Sequence, residues 1–266
     1  MITNQSDSIF VLAARSVGRG VFSAAKHSGR ITLFMIELAK GLVEWKVWLK
    51  PSIDQAVKVG YGSLFIIIVT ASFAGAVTAL QAGYQLTAGV PVYFASGVVV
   101  STIILELGPV LTALILSGRV GARYAAELGT MRVTEQIDAM ESLGRSSVSY
   151  ILLPRIIAVV IMVPVLVAVS NCVAILAGWF GLQSSMGMSY YDFTYGARFF
   201  FQPFYISYSI EKSIMFGLAI AVVPCYVGYY TEHGAEGVGK STTGAVVSAS
   251  VLILVLNAVL AKVLLP

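Results

Sequence analysis

From Val59 to Leu105 the chain runs for 47 residues without an Asp, Glu, Lys or Arg. A hydrocarbon layer about 30 Å thick takes roughly 20 helical residues at about 1.5 Å each, so this one interval holds two membrane crossings and the turn between them. The turn signals lie near its middle, between Gly83 and Pro91. Charge-free stretches also run from Ile156 to Tyr191 and from Ser213 to Thr231, and a further crossing fits between Ser241 and Ala261. The sequence therefore predicts five spans, near 57–84, 91–118, 152–184, 206–231 and 241–264. Backbone groups in lipid must be bonded within their own segment, and the alternating pattern of barrel strands is missing, so the spans are helices.

Composition closes off the soluble alternatives. Of 266 residues 58% are hydrophobic and only 11% charged, against about 25% charged in an ordinary soluble domain. The expected fold class is an all-α integral membrane protein: an N-terminal interfacial helix, five transmembrane helices, and a cytoplasmic coupling helix between the second and third. Residues 1–52 form the N-terminal segment in this reading and 53–266 the membrane-spanning domain. Cys172 and Cys225 both sit in apolar runs, which leaves neither a disulfide framework nor a metal-ligand cluster. The short apolar patch Ile9 to Ala14 ends at Arg15 and makes a poor signal peptide, so the start of the chain is expected to be retained.

The basic residues give the orientation. With the N-terminus inside, cytoplasmic segments hold Arg15, Arg19, Lys26, Arg30, Lys40, Lys46, Lys50, Lys58, Arg119, Arg123, Arg132, Arg145, Arg155 and Lys240, which is 14 of the 17 Lys plus Arg. Arg198, Lys212 and Lys262 fall on the other face, and the C-terminus emerges there. The net charge of +4 thus reflects membrane orientation, and no nucleic-acid footprint is visible. Ahead of the first span, Ile31, Phe34, Ile36, Leu38, Leu42 and Val43, with Lys40 and Glu44 between them, suit a helix lying among the headgroups. The competing reading is a cytoplasmic helix packed on the bundle.

Gly234, Gly239, Lys240 and Ser241 match the G-x-x-x-x-G-K-[ST] phosphate loop. That loop needs a strand before it and a parallel sheet around it, whereas here it lies between two spans. It reads as a short Gly-rich cytoplasmic turn, with Ser241 to Thr243 available to cap the last helix. Glu106, midway along the second span, must face a polar cavity or a partner. It is either a lumen-facing or gating carboxylate, or a carboxyl bonded between helices that holds the break at Gly108 and Pro109. Ala71, Gly75, Ala79 and Gly83 line one ridge of the first span, as close helix packing requires. Between Arg119 and Arg145, acidic and basic residues interleave with Leu128, Met131, Val133, Ile137, Met140 and Leu143, an amphipathic pattern suited to docking a partner. The aromatics from Tyr190 to Tyr205 fit a membrane-boundary belt. His27 and His233 stand alone, and no catalytic constellation appears.

Glu106 to Gly144, reading ELGPVLTALILSGRVGARYAAELGTMRVTEQIDAMESLG, closely resembles the signature of the MlaE/YrbE family, the permease subunits of ABC transporters that work with MCE proteins on lipids. The likeness extends through Pro154 and Arg155 and returns at Gly234 to Val247, where members commonly carry Arg in place of Lys240. It implies a homodimeric, non-catalytic permease that moves phospholipid or a related lipid between the bacterial inner membrane and an extracytoplasmic MCE protein, in the service of outer-membrane lipid asymmetry. It implies a separate ATPase, which binds the ATP and Mg, and a small STAS-domain accessory protein; this chain would carry no cofactor. Carried onto this sequence, Glu127, Arg132, Glu135 and Asp138, within about 125–140, would couple to the ATPase. Val77, Leu80, Tyr84 and Glu106 would approach the lipid. Two positions depart from the family pattern: Leu105 stands where many members have Arg, and Asn257 where many have Asp. The alternative from a different class is a stand-alone secondary transporter in which Glu106 binds a proton, although no internal repeat supports it.

Overall fold

A computed structural model of the chain describes residues 25–26, 28–86, 90–232 and 234–265. The patch Ile9 to Ala14, His27 and His233 lie outside the described residues. All regular structure among the described residues is helical. In chain order the elements are α1 (28–41), α2 (Trp45–Gln85), α3 (Tyr93–Val133), α4 (Gln136–Ser142), α5 (Val148–Met186), α6 (Tyr190–Phe200), α7 (Phe204–Tyr229) and α8 (Gly234–Leu264). Five of them, α2, α3, α5, α7 and α8, are long and apolar enough to cross a membrane. The bundle has a basic end, which holds Arg123, Arg132 and Arg155, and an aromatic end around α6. At 41 residues α2 and α3 each extend about 60 Å at the helical rise, twice the hydrocarbon thickness, so both project past one face.

The small-residue ridge of the first span does what its spacing predicts. Ala71, Gly75 and Ala79 are buried against α5, and a Cβ on Gly75 would lie 2.0 Å from the Ala174 carbonyl oxygen. The two backbones therefore touch with no side chain between them. In lipid, where apolar surface gains nothing by leaving the solvent, such close van der Waals packing is what drives helices together. A second close approach joins α7 to α3 at the basic end, where a Cβ on Gly228 would meet the Ala125 carbonyl oxygen at 2.8 Å. Around these crossings Leu116, Leu128, Leu152, Val159, Phe216 and Ile220 fill the core.

The N-terminal helix packs on the bundle by one face and leaves apolar residues exposed on the other. Phe34, Leu38 and Gly41, at spacings of four and three, are buried on the basic end of the bundle, while Ile31, Leu33, Met35 and Ile36 remain exposed. Phe34 packs edge-on against Tyr226 at 5.4 Å between ring centroids and lies 6.2 Å from Tyr229.

Two segments differ from expectation. The connector between the second and third spans is not one helix over 125–140. It continues α3 to Val133, breaks at Thr134 and Glu135, and resumes as α4. Leu128 and Ile137 are both fully buried, and nine residues at 3.6 per turn place them on opposite sides of a straight helix. Glu135, at φ 57°, supplies the bend that turns both inward. The Gly-rich segment 234–240 is likewise not a turn: α8 starts at Gly234, so Ser241 to Thr243 lie inside the helix and do not cap it. Glu236 in the first turn suits the positive helix end and pairs with Lys240 at 2.7 Å one turn on. A helix there also removes the loop a phosphate would need.

Candidate functional site

The polar centre of the bundle is built around a proline. Pro109 has no N–H, so the carbonyl four residues earlier, on Leu105, loses its helical partner. The helix widens to a π-type turn over Ile103–Leu107, a distortion common at functional sites. The freed Leu105 oxygen accepts a hydrogen bond from Lys212 Nζ of α7 at 3.0 Å. The same ammonium donates to Glu106 Oε1 at 2.7 Å and to the Tyr208 hydroxyl at 3.1 Å. All three of its protons are thus placed, which is what a cation 0% exposed at membrane depth requires.

Lys212 is therefore not among the charges of the far face, as its position in the sequence implied. It lies two turns inside α7, and its four-carbon stem reaches across to α3. Glu106 is bonded between helices, and its side chain keeps 39% of its surface accessible, so one flank of the carboxylate is open to whatever occupies that side of the protomer. Asn171 of α5 and Ser209 of α7 extend the polar layer, Asn171 Nδ2 donating to Ser209 Oγ at 3.3 Å. A Cβ on Gly108 would collide with Asn171 Oδ1, so any side chain at this position in the break would displace the Asn171 amide.

The other residues expected near a ligand lie elsewhere on the protomer. Val77, Leu80 and Tyr84 form an outward ridge of α2 with Phe73, and Tyr84 is 92% exposed. Leu80 borders an apolar groove of about 590 Å³ between α2 and α5, with Phe73, Val173 and Phe180, and that lining includes none of Val77, Tyr84 and Glu106. The four residues are not gathered into one pocket by a single chain.

At the basic end the predicted coupling residues divide by role. Glu127 faces the bundle and accepts from Arg123 Nε at 2.7 Å and from the buried Arg155 of α5 at 3.1 Å. It ties α3 to α5. Arg132 and Asp138 pair across the bend at 2.6 Å, and Glu135, at the bend itself, is exposed. Two carboxylate partners escaped sequence reading: Glu141 accepts from the Tyr229 hydroxyl at 2.9 Å and from Ser147 Oγ at 2.5 Å. At the aromatic end α6 begins with Ser189 Oγ accepting from the Asp192 N–H, a cap whose Ser-x-x-Asp spacing was visible in the sequence. Among the described residues no group of three or more His, Cys, Asp or Glu is arranged to hold a metal ion.

A model of the permease family MlaE matches residues 52–263. The chain belongs to the MlaE permease family. A probable ABC transporter permease protein of Rickettsia bellii is 35% identical over 92% of this chain and 94% of its own length. A probable ABC transporter permease protein of Synechocystis sp. is 35% identical over 81% of the chain and 82% of its own. The chloroplastic protein TRIGALACTOSYLDIACYLGLYCEROL 1 of Arabidopsis thaliana is 32% identical over 86% of the chain and 64% of its own. This MlaE-family chain is thus a multi-pass membrane protein and a permease subunit of an ABC transporter. The stretch Glu106 to Gly144 that carries the resemblance holds Glu106 and the jointed connector, while Lys212, Tyr208 and Tyr229, which complete them, lie outside that stretch but within the matched residues 52–263.

Proposed function

We propose that this permease moves phospholipid or a related lipid between the inner membrane and an extracytoplasmic MCE protein, as a homodimer driven by a separate ATPase that binds ATP and Mg. The observation that carries the reading is the pairing of an uncovered apolar ridge, Phe73, Val77, Leu80 and Tyr84, with a half-open carboxylate held by Lys212 at membrane depth. An amphiphile needs both: a surface for acyl chains and fixed charges for a polar head. The name of the Arabidopsis relative, which contains that of a diacylglycerol glycolipid, points the same way. A second copy of the chain would close the ridge into a cavity, bringing Glu106 and the ridge residues to bear on one lipid.

In this reading residues 1–52 are the interfacial segment, 53–266 the permease domain, the basic end is cytoplasmic, and the C-terminus is periplasmic. Glu127, Arg132, Glu135 and Asp138 carry the coupling to the ATPase, with a STAS-domain accessory protein and the MCE protein completing the assembly. The Glu106–Lys212 pair, at 2.7 Å, ties α3 to α7, a structural use of the carboxylate that a stand-alone proton carrier does not require.

A photoreactive amino acid at Leu80 or Tyr84 of the assembled complex tests the substrate. A lipid adduct well above that at the exposed Phe65 is expected, and equal labelling at all three positions refutes the site. Glu135→Lys with Asp138→Lys should abolish co-purification of the ATPase, and an ATPase that stays bound refutes the coupling assignment.

A further inference from the structure

Tyr229 is the last residue of α7, and four other segments of the protein meet on it. Its hydroxyl donates to Glu141 of α4 at 2.9 Å. Ser147, just ahead of α5, donates to the same carboxylate oxygen at 2.5 Å and lies 3.1 Å from the Tyr229 oxygen. The Arg132 guanidinium, from the end of α3, sits over the ring at 5.9 Å from its centroid. The ring of Phe34, the anchor of α1, lies 6.2 Å away. Tyr229 and Ser147 are buried, whereas Glu141, which they both hold, is exposed.

The arrangement spans the joint. Arg132 precedes the bend at Glu135 and Glu141 follows it, and Tyr229 touches both from outside the connector. α4 itself is light, seven residues with Ile137 as its one buried side chain. Its position is therefore set by the ties at its two ends, Asp138 to Arg132 and Glu141 to Tyr229. Beside the junction lies a polar hollow of about 570 Å³, lined by Glu37, Lys40, Glu141, Arg145, Ser147 and Tyr229 among others, so there is room for Glu141 to swing.

We propose that Tyr229 is a positioning residue of the transport cycle: it passes a change of bend in the connector to α7 and, through Phe34, to α1. The proposal rests on the coupling reading above, in which the connector is the part the ATPase grips. Movement of α4 pulls on the end of a helix whose other turns hold Lys212 and Tyr208, so the junction links the gripped surface to the polar centre along one continuous helix, with Pro224 between them.

The test uses the permease–ATPase complex in lipid nanodiscs, with Cys172→Ser and an environment-sensitive fluorophore on Ile206→Cys, an exposed position at the far end of α7. In the otherwise native complex, ATP with vanadate should shift the emission. Tyr229→Phe keeps the ring, and with it Phe34 and Arg132, but loses the tie to Glu141. It should retain the ATPase and its hydrolysis while the emission response falls about tenfold, the usual scale of a coupling free energy. Glu141→Gln should do the same, and the double variant should be no worse than either single. If Tyr229→Phe does not fold, Ser147→Ala, which removes the other donor to Glu141, should show the same loss in smaller measure. A full response in the Tyr229 and Glu141 variants overturns the junction and leaves the coupling reading intact. Loss of ATPase binding in them makes these docking residues and also overturns it. An unresponsive native complex overturns the coupling reading itself.

Discussion

Breaking the central ion pair from each side should give unequal losses, and the inequality follows from exposure. Lys212→Met leaves Glu106 without its cation, but that side chain is 39% accessible and can find other polar partners. The larger cost is the Leu105 carbonyl, which Pro109 cannot serve, and an orphaned buried acceptor costs about 1–3 kcal/mol. With the lost charged hydrogen bond, partly offset by the methionine's packing, the total is about 3 kcal/mol, or a fall in apparent Tm of roughly 6–12 °C at about 2–4 °C per kcal/mol. Glu106→Gln strands an ammonium that is 0% exposed, and removing one partner of a buried pair costs about 3–5 kcal/mol. It should therefore be the worse of the two. Combining them removes both charges, so the double variant should be more stable than the two losses added together, by about 1–3 kcal/mol. Thermal unfolding of the four proteins in one detergent, followed by tryptophan fluorescence, measures all of this. Strict additivity, or Lys212→Met proving the more damaging, would refute the ion-pair reasoning.

Gly75→Leu should abolish the folded protein, because even a Cβ there meets the Ala174 carbonyl at 2.0 Å; membrane yield and gel filtration report it, and a monodisperse variant would contradict the packing. Phe34→Ala should free α1 from the tyrosines of α7, seen as faster protease cleavage near residue 41 with the five spans intact. Glu135→Gly should be neutral or stabilising by about 0.5–1 kcal/mol, since glycine takes φ 57° without a side-chain penalty. A loss of stability there would mean the bend is held by the glutamate side chain.

The spans were legible because lipid tolerates so few charges: Val59 to Leu105 could hardly be anything else. The ridge of Ala71, Gly75 and Ala79 was legible for a similar reason, since small residues at spacing four have little other use in a membrane. Glu106 announced itself by its depth, but its partner did not. Lys212 follows the exposed Glu211 near a span boundary and reads as an end charge, and only the missing N–H of Pro109 hints that a donor must reach Leu105. The bend at Glu135 was hidden because the apolar pattern from Leu128 to Met140 looks helical piece by piece. Its failure shows only when Leu128 and Ile137 are required to face the same way. Tyr229 carried no local signal at all, because its role comes from four segments distant in sequence.

The bare contact between Gly75 and Ala174 leaves α2 and α5 no lubricating layer of side chains to slide upon. They form a single girder down the height of the bundle, and a machine that must open and close has to hinge around such a girder. The yielding parts are then the three widened turns, Ile103–Leu107, Ser117–Gly121 and Val148–Leu152, two of them on the one helix that carries both Glu106 and the arm leading to the connector.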